Sequence, residues 1–489
     1  MPAPLDIHLI AVGGTGMAPL ACLLSELGHR VRGSDGPLYP PMSTLLAAAG
    51  IETRVGYGPE NLEPRPDLVV VGNAVRRDNP EAAAARERGL EIVSMPQALA
   101  RFFLAGRRPL VVAGTHGKTT TSALAAWVYH ACGRDPGYLV GGVPRNLERS
   151  FAIGGGERFV VEGDEYNAAY FDRGPKFLHY RPQTAILTSV EHDHADLYAR
   201  PEDLLDAYER LMAILPPDGL LVAHGDGPGV RAVAARARCP VVFYGLGAGC
   251  DVRPAAWEPH AGGSRCTLPD PEAGEIELTL PVPGRHNLLN ALAVWTVARR
   301  DGLPAAAIAG ALARFAGVKR RQEELGTAGG VTVVDDFAHH PTAVGETVPA
   351  LRQRYAGRRL VVVFEPRTLT AGRAMFFDAY AAAFAAADAV FFAPLFHRDR
   401  LDPDERLDLE RLAAALAHTG VESAAAPTID ALSTRVLAFV RPGDVVVTMS
   451  SGSFEGLPGS LLERLRAGAA GVQETVHPTG HQTVDRDTS

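Results

Sequence analysis

The sequence predicts an α/β protein of three domains. Its length, its alternation of apolar β-branched runs with helical stretches, and its glycine loops at strand ends carry that prediction. At about 100 to 200 residues per domain, 489 residues suffice for about three units, each with its own core. A charged fraction of 21% and a formal charge of −8 leave no basic field suited to nucleic acid, which is discounted as a partner. The five cysteines (Cys22, Cys132, Cys239, Cys250, Cys266) are odd in number and lack C-x-x-C spacing, so neither a disulfide framework nor a zinc knuckle is indicated. No apolar run approaches the ~20 residues of a membrane span, and the opening Met-Pro-Ala-Pro-Leu-Asp lacks a charged n-region before an apolar core. The expectation is a cytoplasmic protein with no membrane partner.

Residues 1–106 form the first expected domain. Strands at 7–12, 31–35, 68–72 and 92–94, with a helix running to Leu27, make a parallel, doubly wound pattern. Gly13-Gly14-Thr15-Gly16-Met17 follows the first strand and opens that helix, and Asp35 ends the second strand. This is the layout of a Rossmann-like phosphate site. Pro19 stands where the third glycine of G-x-G-x-x-G would be. A nicotinamide cofactor, another diphosphate and a purely structural glycine turn are therefore all open.

The second expected domain spans 107–316. An apolar strand at 109–113 runs into Gly114-Thr115-His116-Gly117-Lys118-Thr119-Thr120-Thr121, and a helix at 119–130 follows with Leu124, Trp127 and Val128 on one face. Strand, glycine loop and helix together aim backbone N–H groups and a positive helix end at a phosphate. The lysine reaches the β/γ oxygens, and Thr119 is placed to hold Mg²⁺. Two residues rather than four separate the first glycine from Gly117-Lys118, so the loop is a shortened variant. Lys118 is one of three lysines in a chain that otherwise writes its cations as arginine.

Strands at 159–161, 185–190, 219–223 and 241–244, a β-rich excursion at 251–281, and helices at 287–299 and 304–315 complete this domain. Glu162 closes one strand and His194 follows another. Both belong at the strand C-terminal edge where ligands gather in an open parallel sheet, so they are metal candidates. The alternative for His194 is a cap or core hydrogen bond. Asn287 and Asn290, three apart on one helix face, could read the edge of an adenine, though Asn287 could equally cap the helix.

Residues 317–470 repeat the α/β pattern, with strands at 331–334, 360–364, 389–393 and 445–449 separated by alanine-rich helices. Residues 471–489 turn polar and are expected to be a disordered tail.

Taken in chain order, Gly13-Gly14-Thr-Gly16-Met17, Gly114-Thr-His-Gly-Lys-Thr-Thr-Thr121, Glu162-Gly-Asp-Glu165, Asp193-His194-Ala-Asp196, His286-Asn287-x-x-Asn290, Lys319-Arg320-Arg321 and Asp335-Asp336-Phe-Ala-His339-His340-Pro341 closely resemble the motifs of the Mur ligase family. The resemblance implies a Rossmann-like UDP-sugar domain, a central P-loop ATPase-like domain with a parallel sheet, and a C-terminal Rossmann-like α/β domain. It also implies ATP-dependent amide formation through an acyl phosphate, with ATP as co-substrate and Mg²⁺.

By the same resemblance Gly114 to Thr120, Asn287, Asn290, Arg321, Asp335 and Asp336 bind ATP, and Thr119, Glu162 and His194 hold metal, with Lys118, Glu162 and His194 catalytic. Gly14, Thr15, Gly16, Met17, Ser34 and Asp35 bind the UDP-sugar, and His339, His340 and Arg367 face the incoming peptide. Phe171-Asp-Arg-x-x-Lys176-Phe-x-His179-Tyr180 and Glu365-Pro-Arg367 resemble the branch that joins the tripeptide L-Ala-γ-D-Glu-meso-diaminopimelate to UDP-N-acetylmuramate in peptidoglycan recycling. The branch that adds L-alanine in de novo synthesis is the alternative, a nicotinamide-dependent oxidoreductase is a lesser one, and the protein is expected as a monomer or weak homodimer. Several family members hold a second magnesium with a carbamylated lysine. No lysine occurs between Lys176 and Lys319 here, so that ligand is absent.

Overall fold

The computed structural model describes residues 3–193, 197–198 and 200–474. These fall into two compact units, one ending at Lys319 and the other beginning at Arg320.

The first unit holds two parallel sheets. In the N-terminal sheet the strands lie in the order Glu52–Val55, Arg30–Asp35, Asp6–Ile10, Leu68–Val71 and Ile92–Ser94, all parallel. The chain winds outward on one side of Asp6–Ile10 and then crosses to the other. The order therefore reverses at the end of that strand, where residues 13–16 lead into the helix Met17–Glu26.

The second sheet runs Val241–Tyr244, Leu220–His224, Thr184–Leu187, Arg108–Ala113, Arg158–Gly163, Gly137–Leu139 and Phe151–Ala152, parallel except for the last. Its reversal point is the end of Arg108–Ala113. Leu110, Val111 and Val112 are fully buried, which is why that strand reads as a continuous apolar run rather than an alternating one. One apolar cluster includes Leu20, Leu24 and Phe103 from the first sheet's layer together with Phe159 and Val161 of the second.

The excursion at 251–281 is an antiparallel sheet of Ala256–His260, Gly263–Asp270 and Gly274–Leu280. Asp270 ties it to the helix Arg285–Arg300, accepting from Arg299 Nε at 2.7 Å and Nη2 at 2.9 Å and from the Ala273 N–H at 2.9 Å. The Arg299 guanidinium holds the Asp270 carboxyl down to about 2, from an ordinary 3.8. Because the folded-state value is depressed, the stability this carboxylate contributes is complete above the ordinary value and disappears as pH falls toward about 2. Wild type should therefore exceed Asp270→Asn in stability at neutral pH, with the gap closing between about pH 5 and pH 2. Denaturant midpoints measured across that range check this, and a gap independent of pH would refute it.

The second unit is one sheet in the order Glu323–Ala328, Val331–Asp336, Val445–Met449, Leu360–Phe364, Ala389–Phe392 and Glu422–Ala425, parallel except for the first strand. The last helix, Leu457–Glu474, occupies residues 471–474, which the sequence reading had given to the tail. The helical repeat outlasts the change in composition. The rest of that expected tail, 475–489, lies outside the described residues.

Candidate active site

The glycine loop of residues 114–117 joins Arg108–Ala113 to the helix Lys118–Ala131 at the second sheet's reversal point. Two glycines give it its shape. Gly114 has φ +129°, and a Cβ there would lie 2.2 Å from Thr188 Oγ1 and 2.8 Å from the Ser189 nitrogen. Gly117 has φ +80° and would meet Asn290 Oδ1 at 3.0 Å. No L side chain fits at Gly114 without moving backbone. The segment after Thr184–Leu187 laces the loop in place. Ser189 Oγ accepts the His116 N–H at 2.9 Å, Thr115 N–H donates to Ser189 O at 3.0 Å, and Thr115 Oγ1 accepts the Glu191 N–H at 3.0 Å.

Three carboxylates face this loop from the end of Arg158–Gly163. Thr119 Oγ1 donates to Glu162 Oε2 at 3.1 Å, and Glu162 also accepts the Gly141 N–H. Asp164 pairs with Lys176 at 3.0 Å. Glu165, 1% exposed, holds Lys118 Nζ at 3.0 and 3.2 Å. Burial works against the charge on Lys118, yet Glu165, Asp164 and Glu162 together keep its ammonium charged beyond the ordinary lysine value. The hydroxyl and carboxylate of Thr119 and Glu162 are the oxygen donors that magnesium prefers. Thr120, in the helix's first turn, is half-buried. His194, the other expected ligand, lies outside the described residues.

Asn287 and Asn290 are both buried in the first turns of Arg285–Arg300. Asn287 Nδ2 donates to Pro283 O at 2.7 Å, and the helix cap is Gly284, so the capping alternative for Asn287 falls. Asn290 presses its amide on Gly117.

In the N-terminal loop Gly14 and Thr15 are exposed, Gly16 precedes the first helical residue, and Met17 turns into the core. Asp35 accepts the Gly13 N–H at 2.7 Å, the Gly36 N–H at 2.7 Å and the Tyr57 hydroxyl at 2.8 Å. Ser34 departs from expectation. It is fully buried and donates to Glu81 at 2.7 Å, inside a cluster with His8 and Asn61, so it faces the interior rather than a nucleoside.

In the second unit the expected residues gather at the C-terminal end of Val331–Asp336. Asp336 accepts the Gln322 and Ala338 N–H groups at 2.7 Å each, which makes it a loop pin as well as a ligand candidate. Asp335 pairs with Arg320 at 3.1 Å, and burial raises its carboxyl above the ordinary value. Arg321 lies 4.2 Å over the Phe337 ring. His339 contacts Phe337 O at 3.1 Å. His340 Nδ1 caps the helix Pro341–Arg354 by accepting the Thr342 N–H at 3.3 Å, a structural role that the peptide-side expectation did not include. Arg367 bridges to both Glu365 oxygens at 3.4 Å and stacks 3.8 Å over Phe396.

Three family models match in succession: the Mur ligase family catalytic domain over residues 6–107, the Mur ligase middle domain over 112–298, and the Mur ligase glutamate ligase domain over 320–452. The UDP-N-acetylmuramate–L-alanyl-γ-D-glutamyl-meso-2,6-diaminoheptandioate ligase of Escherichia coli is 37% identical over 477 residues, 96% of this chain and 100% of that one. The chain belongs to the Mur ligase family. The UDP-N-acetylmuramate–L-alanine ligase of Kineococcus radiotolerans is 40% identical, covering 94% of this chain and 96% of its own. The crystal structure of a murein peptide ligase from Psychrobacter arcticus superposes with a TM-score of 0.72 at 31% identity, covering 94% of this chain and 99% of that one.

As a Mur ligase the protein is an enzyme, an ATP-dependent acid–amino-acid ligase. Sequence reasoning quoted Glu165 within a motif of this Mur ligase without giving it a part, and it passed over Tyr57 and Ser189 altogether. Glu162-x-x-Glu165 was the available signal, but past Gly163 the strand ends and its alternation no longer says which carboxylate faces the lysine. Among the described residues no helix is long and apolar enough to cross a membrane.

Proposed function

We propose that this Mur ligase joins L-Ala-γ-D-Glu-meso-diaminopimelate to UDP-N-acetylmuramate in the cytoplasm, at the expense of ATP. The observation that carries the reading is the phosphate loop at the sheet's reversal point, with Lys118 ringed by carboxylates and Thr119 against Glu162. The N–H groups of residues 114–117 and the helix end receive the phosphates, and Lys118 contacts the β/γ oxygens. Thr119 and Glu162 would hold Mg²⁺, which neutralises phosphate charge when bound. The muramyl carboxylate attacks the γ-phosphate, ADP leaves, and the tripeptide amine displaces phosphate from the acyl phosphate to form the amide. The protein aligns three substrates and compensates charge rather than supplying covalent chemistry.

Gly14 to Met17 take the UDP diphosphate, with Asp35 near the nucleoside. Asn287 and Asn290 take the adenine side. The same reading assigns nucleotide contacts to Arg321, Asp335 and Asp336 and peptide contacts to His339, His340 and Arg367. Domain boundaries near 106 and 316 follow from the same reading. The tripeptide assignment is supported by the segment 171–180. There Lys176 pairs with Asp164 beside the catalytic carboxylates, and His179 pairs with Asp172 at 2.7 Å, which itself accepts from Ser94 of the first sheet's layer.

The 40% identity to an alanine ligase favours a second reading, L-alanine as acceptor. Phosphate release should require UDP-N-acetylmuramate, ATP, Mg²⁺ and tripeptide together, with the joined nucleotide-peptide seen by mass spectrometry. Equal or faster turnover with L-alanine would move the assignment to that branch. Fluorescence titration with NAD(H) and NADP(H) should show no binding.

A further inference from the structure

In this structure the Lys118 ammonium has no donor to spare. An ammonium carries three N–H groups. Here they are directed at Gly114 O at 2.6 Å, Thr115 O at 3.4 Å and the Glu165 carboxylate at 3.0 and 3.2 Å. The two carbonyls belong to the phosphate loop and travel with the lysine. Glu165 does not, since it sits beyond the end of the neighbouring strand, 1% exposed, with its backbone carbonyl accepting the Tyr198 hydroxyl at 2.6 Å.

We propose that Glu165 is a positioning residue, the counter-ion that Lys118 exchanges for nucleotide phosphate. It aims the lysine before ATP arrives, opposes the incoming phosphate charge, and recaptures the lysine as ADP departs. This rests on the nucleotide reading of the loop given above. A phosphate oxygen can replace the carboxylate without leaving the ammonium uncompensated, while the Glu165 carboxylate gives up its cation. The cost falls on affinity. ATP must displace an anion already in place, and the same anion later speeds release of the product.

The test compares wild type, Glu165→Gln and Glu165→Asp by calorimetric titration with ATP and with ADP, and by steady-state kinetics in the full reaction. Glu165→Gln keeps the shape and removes the charge. It should bind both nucleotides about tenfold tighter, as expected when a close like charge is removed from a poorly solvated site. Its KM for ATP and its kcat should fall together because ADP leaves slowly. Glu165→Asp should restore wild-type affinity and most of the turnover.

A merely structural carboxylate would give weaker binding in Glu165→Gln, with a raised KM. That result, or affinities equal to wild type, overturns the exchange while leaving the nucleotide site intact. Absence of ATP binding by wild type would overturn the nucleotide reading, and the exchange with it. Melting temperatures without nucleotide establish that the variants are folded, and tighter binding cannot come from an unfolded one.

Discussion

Lys118→Ala should fold, melt earlier than its parent, and form amide about 10²- to 10³-fold more slowly. Two separate consequences meet at this position. The first is catalytic. On the proposed reading the lysine meets the β/γ oxygens, and removing one preorganised stabiliser of developing charge lowers turnover by about 10²- to 10³-fold. Arginine cannot substitute, because a planar fork does not fit where a compact ammonium reaches between two loop carbonyls and a carboxylate.

The second consequence is to stability. Lys118 is 12% exposed and Glu165 1%, so deleting the lysine strands a buried carboxylate. Breaking a buried pair from one side costs about 3 kcal/mol or more. Lys118→Ala combined with Glu165→Gln leaves nothing charged behind and should recover most of that loss while remaining inactive. The check is the shift of the unfolding midpoint in urea, read beside phosphate release. A double variant as unstable as the single one would mean that Glu165 is not the stranded charge. Any turnover close to wild type in Lys118→Ala would remove the lysine from the reaction.

The central strands and the glycine loop were legible in the sequence because each rule acts locally there. A strand buried on both faces writes an unbroken apolar run, as at Leu110 to Ala113, and two positive-φ glycines beside a lysine can be read without knowing the neighbours. What failed depended on orientation. Ser34 and Asp35 are adjacent on Arg30–Asp35, and adjacent strand residues point to opposite faces, so they could not both attend the glycine loop. The alternation was available and favours Asp35 at the edge, with Ser34 turned toward the buried Glu81.

His340 precedes Pro341, and a residue before a proline at the first helical position is where a cap belongs. Motif resemblance drew attention to its ring as a ligand, while the local grammar already assigned it a structural bond. The partner of Lys118 was not legible, because it depends on how the chain leaves a strand end. No periodic rule governs that.

Asp301→Ala separates stability from catalysis in the same sheet. Asp301 follows the helix Arg285–Arg300 and takes Arg158 Nε at 2.6 Å on one oxygen and Arg158 Nη2 on the other, with the Tyr129 hydroxyl donating as well and Arg108 at 3.9 Å. Arg158 is 6% exposed, and its remaining bonds, to Thr184 Oγ1 at 3.1 Å and Arg108 O at 3.4 Å, carry no charge. Without Asp301 the guanidinium is buried with neutral partners only.

The expected loss is about 3–5 kcal/mol, among the largest any single substitution here should produce. Asp301→Asn keeps one acceptor oxygen and should fall between the two. Arg108 and Arg158 open the strands Arg108–Ala113 and Arg158–Gly163, whose far ends carry the glycine loop and Glu162, about 20 Å and about 13 Å away at ~3.3 Å per residue. The folded fraction of Asp301→Ala should therefore keep a wild-type kcat at temperatures well below its lowered midpoint. A midpoint unchanged from wild type would show that water or a rearranged neighbour compensates Arg158. A kcat falling as far as that of Lys118→Ala would show that the two ends of the sheet are coupled more tightly than their separation implies.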